Sequence, residues 1–256
     1  VQERDKMLTS QRKQYILGVL SRDGQVIAKQ ISQELDLSED TIRRDLRELA
    51  QEGLLQRVHG GALPASPAVA NFAKREDIYT DAKIAIGRTA ASLIKSGQVV
   101  ILDGGTTAVQ IARHLSPTLQ ATIVTHSART AVELVEHPSV EVVLIGGRLF
   151  KHSIVSVGAA AIEAINRIRA DVYFMGVTGI HPEAGLSTGD YEEAYVKYTL
   201  CQRAAETFVL ASQEKLGAAS PYVIAPLSEV SGLIVEASVT KEVLLPYESL
   251  GLSIIR

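Results

Sequence analysis

The run Asp103-Gly104-Gly105-Thr106-Thr107 joins four apolar residues, Val99-Val100-Ile101-Leu102, to a segment with helical spacing. Two glycines and two hydroxyls at a strand-to-helix junction leave backbone N–H groups free at the positive end of a helix, a setting that suits a phosphate or a carboxylate. A tight turn with Thr106 or Thr107 as a plain N-cap accounts for the same residues, and the run alone does not separate the two readings. Thr125-His126-Ser127 and Gly146-Gly147-Arg148 follow other apolar runs, and Lys215 lies beyond a third. If these runs are parallel strands, all three groups converge on the same rim as the glycine loop, where ligands of open α/β sheets collect. His126 there would add pH sensitivity, although a histidine at a strand end is more often a hydrogen-bonded surface residue.

A second chemistry is carried by Ser38 to Gly53. Ser38 stands at an N-cap position, and Glu39 and Asp40 put negative charge in the first turn. Ile42, Leu46, Leu49 and Gly53 share one side, so Arg44, Arg47 and Gln51 point to the other, flanked by Arg43 and Asp40. Gly53 ends the helix, and Leu54 to Val58 reads as a short strand turning back at Gly60-Gly61. Alone, this is an amphipathic helix with a solvated basic face. Upstream, however, Gln11 to Leu20 and Ile27 to Leu35 read as two further helices, with Asp36-Leu37 as a tight connection. That order predicts a winged helix-turn-helix whose last helix enters the major groove of double-stranded DNA. The expected DNA contacts are Ser38, Thr41, Arg43, Arg44, Arg47, Arg57 and His59, with Arg12, Lys13 and Lys29 as flanking candidates. Arginines on the helix suit guanine edges, whereas Arg57 and His59 suit phosphate or the minor groove.

The elements that must position these groups fall into two parts. Residues 1–63 hold ten Lys/Arg and ten Asp/Glu, and the rest hold sixteen and nineteen, giving the net charge of −3. The attraction for DNA is therefore local, and one copy binds weakly, so a homodimer or homotetramer on a symmetric site is expected. The predicted domains are a winged helix-turn-helix at 1–63, a linker at 64–75 in the proline-containing stretch Leu63 to Ala70, and a ligand-binding and oligomerisation domain at 76–256. In the last, apolar strands at Val99–Leu102, Ala121–Thr125, Val140–Ile145, Asp171–Val177 and Thr207–Ala211 alternate with helices, with Ile154–Val157 as a candidate short strand. Near-continuous apolar strands predict an α/β domain with a mainly parallel sheet covered on both faces. No apolar run reaches the ~20 residues of a membrane span, and the charged start Val1 to Lys6 is not expected to be a signal peptide. Cys201 is the single cysteine, which excludes an internal disulfide and makes a reducing cytoplasm the expected home; it reads as a buried structural thiol.

Two stretches carry a family resemblance. Ser38-Glu39-Asp40-Thr41-Ile42-Arg43-Arg44-Asp45-Leu46, with Leu54-Leu55-Gln56-Arg57-Val58-His59-Gly60-Gly61-Ala62, resembles the N-terminal signature of the DeoR family of bacterial transcriptional regulators. Asp103-Gly104-Gly105-Thr106-Thr107, Thr125-His126-Ser127, Gly146-Gly147, Asp171, Glu193-Ala194-Tyr195-Val196-Lys197 and Lys215-Leu216-Gly217 resemble, in order, its effector domain, which is similar in fold to ribose-phosphate isomerases. The resemblance implies a repressor of carbohydrate metabolism that senses a phosphorylated sugar or related metabolite. It makes the glycine loop the phosphate cradle and puts Lys215 near the ligand. The expected effector site is thus Asp103, Gly104, Gly105, Thr106, Thr107, His126, Ser127, Gly147, Arg148, Glu193, Lys197 and Lys215. The chain departs from the family where Thr-Asn-Ser is common and His126 stands, and where Ala-Asp-x-Ser-Lys is common and Ala211-Ser212-Gln213-Glu214-Lys215 stands. The second departure removes an acid that could hold sugar hydroxyls.

The rival expectation is a sugar-phosphate isomerase-like enzyme carrying a DNA-binding domain. That chemistry needs a carboxylate base with partners for the oxygen protons. Isomerases of this fold carry Asp-Gly-Ala-Asp-Glu where this chain has Met175-Gly176-Val177-Thr178-Gly179, which has no acid. No catalytic residues, cofactor or metal are expected. An architectural DNA-binding protein, which would leave the second domain without a use, ranks last.

Overall fold

Ile16, Leu20, Ile31, Ile42, Leu46, Leu49 and Leu55 form the buried centre of the N-terminal unit. The computed structural model describes residues 7–66, 68 and 72–256; the charged start Val1 to Lys6 and the linker residues Pro67, Val69, Ala70 and Asn71 lie outside the described residues. Helices α1 (Thr9–Asp23), α2 (Ala28–Glu34) and α3 (Glu39–Gln51) surround this centre, together with strands β1 (Val26–Ile27), β2 (Leu55–Val58) and β3 (Gly61–Pro64). The strands form an antiparallel ribbon in the order β1-β3-β2. Ser38 caps α3, accepting a hydrogen bond from the Thr41 N–H at 3.2 Å.

One position on the inward face of α3 breaks the apolar pattern. Asp45 is fully buried and receives both Nε and Nη2 of Arg12, the latter at 2.9 Å from Oδ1. Arg12 is therefore spent inside the fold and is no phosphate contact, contrary to expectation. A carboxylate at the centre of a small core requires a forked counter-charge, and α1 supplies it.

The larger unit follows α4 (Phe72–Glu76) and α5 (Thr80–Leu93). Its strands and helices are β4 (Val99–Leu102), α6 (Thr106–Arg113), β5 (Thr122–Thr125), α7 (Ala128–Glu133), β6 (Glu141–Leu144), β7 (Arg148–Phe150), β8 (Val155–Val157), α8 (Ala159–Ile165), β9 (Ala170–Gly176), β10 (Gly179–His181), β11 (Gly185–Thr188), α9 (Tyr191–Cys201), β12 (Ala204–Ala211), β13 (Tyr222–Ala225), β14 (Gly232–Val235), α10 (Lys241–Glu248) and β15 (Ser253–Ile255). Seven of the strands form a parallel sheet in the order β15-β14-β12-β9-β4-β5-β6. One core packs Ile86, Ala90, Ile111 and Ala112 of α5 and α6 against it; the other packs Ile165, Val196, Leu200 and Leu244 of α8, α9 and α10. Burial on both faces is why inner strands such as β4 and β5 read as nearly unbroken apolar runs, whereas the edge strand β6 leaves Val143 and Leu144 exposed. Cys201 is buried in the second core.

Two features differ from the sequence reading. Val155–Val157 pairs antiparallel with Arg148–Phe150 in a separate hairpin instead of joining the main sheet. The short turn between them leaves no room for the crossover that a parallel neighbour needs. A second small sheet, β10-β11-β13, is also antiparallel.

The order of the main sheet reverses between β4 and β9. From β4 the chain steps outward through β5 and β6; from β9 it steps the opposite way through β12, β14 and β15. The carboxyl ends of β4 and β9 therefore flank the crevice at a topological switch point, where such sheets bind ligands. Asp103 and Gly176 stand at those two ends.

Candidate functional site

Asp103 is fully buried and gathers four donors. Oδ1 accepts from the Gly104 N–H and His126 Nε2, each at 2.7 Å, and Oδ2 accepts from the Gly176 N–H at 2.7 Å and Lys197 Nζ at 2.5 Å. Burial alone would raise its pKa, but the charge of Lys197 and the bond from His126 outweigh it and hold the carboxyl well below the usual carboxylate range. Conversely, burial disfavours the Lys197 ammonium, and Asp103 and Glu193 reverse that effect, raising its pKa. The ionised group thus ties the ends of β4 and β9 to α9.

Above this clamp lies a cleft lined by Gly104, Gly105, Thr106, Thr107, Glu193, Lys197 and Lys215, all expected from sequence, and by Arg75, Lys83, Ser153, Thr178, Thr188 and Glu214, which were not. The helix α6 begins at Thr106, so its first N–H groups face the cleft. Gly105 enters it with φ 102°, a conformation that side chains resist, and a Cβ on Gly104 would stand 2.2 Å from Val155 Cγ1. Burial pushes the Lys215 ammonium down to about 8; Glu214 opposes this, while Lys83, Arg75 and Lys197 add to it. Glu193 accepts from Ser153 at 3.4 Å and Thr188 at 3.2 Å. Glu214 accepts from Ser212 at 2.6 Å through Oε1, while its buried Oε2 accepts from no group among the described residues. The acid that the family resemblance placed at 212 has thus a counterpart two residues on, linked to Ser212 itself. The cleft combines cationic donors with an unused anionic acceptor, which suits a ligand bearing both an anion and hydroxyls.

Five expected residues are not in the lining: Asp103, sealed beneath it, and four others. His126 is fully buried, with Nε2 on Asp103 and Nδ1 3.2 Å from the Ser156 carbonyl oxygen. Ser127 caps α7, accepting from the Thr130 N–H at 3.2 Å. Gly147 and Arg148 open the β7–β8 hairpin, and the exposed Arg148 pairs with Glu192 outside the cleft. A position just after a strand fixes which end of the sheet a residue occupies, but not its depth. The antiparallel hairpin, moreover, carries Arg148 away from the rim.

On the N-terminal unit, Arg43, Arg44, Arg47 and Gln51 are exposed along α3, as are Arg57 and His59 on the wing. Arg43 pairs with Glu39 at 2.7 Å and Asp40 at 3.6 Å. Arg44 and Arg47 form no ion pair among the described residues, so their guanidinium groups are free for an outside partner. Ser38 and Thr41 share a hydrogen bond at 2.9 Å at the helix start. Lys13 is engaged by Glu48 at 3.2 Å and Glu52 at 2.9 Å, whereas Lys29 is exposed.

The profile of the DeoR C-terminal sensor domain matches residues 79–237, and that of the DeoR-like helix-turn-helix domain matches residues 12–67. The chain belongs to the DeoR family. This DeoR-family regulator is 33% identical to the HTH-type transcriptional regulator GlpR of Haloferax volcanii over 97% of this chain and 98% of that protein. It is 34% identical to the HTH-type transcriptional repressor GlcR of Bacillus subtilis over 90% and 89%. Among solved structures, ribose 5-phosphate isomerase A from Methanocaldococcus jannaschii aligns with 57% of this chain and 55% of its own at 18% identity, with a TM-score of 0.40. No described helix of the DeoR-family chain is long and apolar enough to cross a membrane. Of the cleft residues missed in the sequence, Lys83 left a signal: it lies on the buried face of α5 with Ile86, Gly87 and Ala90, a charge on an apolar stripe. Arg75 left none, because it stands in a short polar stretch without periodicity.

Proposed function

We propose that the chain is a repressor of a carbohydrate-metabolism operon whose hold on operator DNA is modulated by a phosphorylated sugar or related metabolite. It works as a homodimer or homotetramer in the cytoplasm. The observation that carries the ligand class is the cleft at the switch point. There the Gly104–Thr107 loop and the start of α6 face Arg75 and Lys215 across a space that Glu214 also borders. A phosphate suits the loop and the cations, and hydroxyls suit Glu193, Glu214 and Thr188. Asp103, His126 and Lys197 hold the loop in place from below, Lys197 also lining the cleft wall; Ser127 is the cap of a neighbouring helix. Gly147 and Arg148 are left out of the ligand contacts.

For DNA, α3 lies in the major groove with Arg44 and Arg47 toward base edges and Arg43, Ser38 and Thr41 at its start. Arg57 and His59 hold the backbone beside it. The protein acts by binding and not by catalysis: Asp103 is sealed, Glu193 is engaged by two hydroxyls, and residues 175–179 offer no base. A thermal-shift series with phosphorylated sugars and polyols beside their unphosphorylated forms tests the ligand class. Stabilisation confined to phosphorylated compounds supports it. Stabilisation by free sugars alone removes the phosphate cradle.

A further inference from the structure

The segment that carries the winged domain forms part of the cleft wall. At its start the Pro64 carbonyl accepts from the Ala219 N–H at 3.2 Å, Ala65 bridges to Ala219, and Ser66 Oγ donates to the carbonyl of Thr178, itself a cleft residue. Ala68 lines the cleft. At its end Phe72 is buried, its N–H donates to the His152 carbonyl at 2.9 Å, and Lys83 Nζ donates to the Arg75 carbonyl.

The Arg75 side chain turns inward from this segment. Nη1 stands 3.9 Å from the point a Cβ on Gly105 would occupy, so the guanidinium overhangs the glycine loop. Nε and Nη2 are buried and donate to no acceptor among the described residues. Buried donors without acceptors are costly, and a charged fork more so. The carboxylates that act on it through space are Glu193 and Asp103, and both are already hydrogen-bonded to other groups. An anion on the loop would meet these donors in the forked geometry that guanidinium groups favour.

We infer that Arg75 grips the anionic group of the effector from the connector side, so that occupancy of the cleft fixes the connector and, through it, the placement of the winged domain. The inference rests on reading the Gly104–Thr107 loop as an anion cradle. A ligand that touches both the sensor loop and the connector favours the docked arrangement of the two, and operator DNA that needs another arrangement then binds less well.

The chain has no tryptophan, so an Ala73→Trp variant places a single emitter on the exposed side of α4. The probe is inorganic phosphate, followed by emission and by melting temperature. In Ala73→Trp, phosphate is expected to change the emission and raise the melting temperature at the same half-saturation. Adding Arg75→Ala raises the half-saturating concentration by about tenfold or more and removes the emission change, and Arg75→Lys recovers part of both. Without phosphate, Arg75→Ala is expected to change the melting temperature little, because Nε and Nη2 donate to no acceptor among the described residues and the contact of the guanidinium with the Phe72 ring is long, 6.0 Å to the centroid. If the Arg75→Ala protein without phosphate melts several degrees lower, the arginine is structural and the inference fails. If phosphate stabilises both proteins alike with no change in emission, the inference fails and the cradle stands. If phosphate stabilises neither, the cradle fails and the inference with it.

Discussion

Asp103 receives four donors, so neither of its oxygens is left for a ligand. Its position next to the glycine loop suggests a ligand contact, but its burial makes it the pin on which the loop is built. Asp103→Asn leaves the buried Lys197 with Glu193, 3.5 Å away, as its remaining charged partner, and about 3 kcal/mol of stability is expected to go, read from the urea midpoint. Lys215 behaves differently, because its ammonium is held near 8 by burial. An anion binds the charged form, so affinity for inorganic phosphate is expected to fall by up to about tenfold per pH unit above 8. Lys215→Arg flattens that profile, since a guanidinium stays charged there; calorimetry between pH 7.5 and 9.5, roughly, checks both. The sign for folding is opposite: between about 8 and 10.5 the unfolded chain holds more protons at this site, so this group's contribution to stability rises with pH. At this scale the glycine loop and Lys215 were legible because each sits beside an apolar strand. His126 was only half legible: its end of the sheet follows from spacing, and its depth does not. Arg75 was not legible, since it stands in a short polar stretch without periodicity and the loop it overhangs lies further along the chain.

Helix α3 has two faces with separate tasks. Inward, Asp45 locks α3 to α1 through Arg12; outward, Arg44 and Arg47 carry no ion pair among the described residues. Arg44→Ala is therefore expected to weaken operator binding by about 1–3 kcal/mol and relax specificity at one base pair, with ligand stabilisation unchanged. Arg57→Ala should weaken binding about equally on all sequences and lower the salt slope by about one. Fluorescence anisotropy on operator and scrambled duplexes over a range of salt separates the two. Elements packed on both sides were easy to read from the sequence, because a short unbroken apolar run such as Val99–Leu102, bounded by glycines, needs cover on both faces. Short antiparallel pieces were legible unevenly: the wing strand and Ile154–Val157 could be read, but Arg148–Phe150 and its pairing with Val155–Val157 could not, because three residues show no period and the pairing depends on a turn. The same hairpin moved Gly147 and Arg148 out of the expected site.

Across the whole molecule, residues 1–63 have as many acids as bases, so a single winged domain has little electrostatic hold on DNA. Two copies on a symmetric operator are expected, and sedimentation equilibrium should give a dimer or tetramer; a monomer at micromolar concentration would remove that part of the proposal. The division into a DNA-reading part and a sensing part was legible from the change in pattern near residue 97, but the role of the stretch between them was not. Residues 68–78 belong to neither matched profile, and yet Ala68 and Arg75 border the cleft. This changes where such a chain can be cut and rejoined. A new DNA-reading head grafted downstream of Arg75 would bring a foreign strap to this sensor, whereas a graft that ends before Pro64 keeps strap and sensor as one inherited piece. Exchange of heads between relatives is therefore expected to preserve ligand response only when the seam falls on the wing side of Pro64.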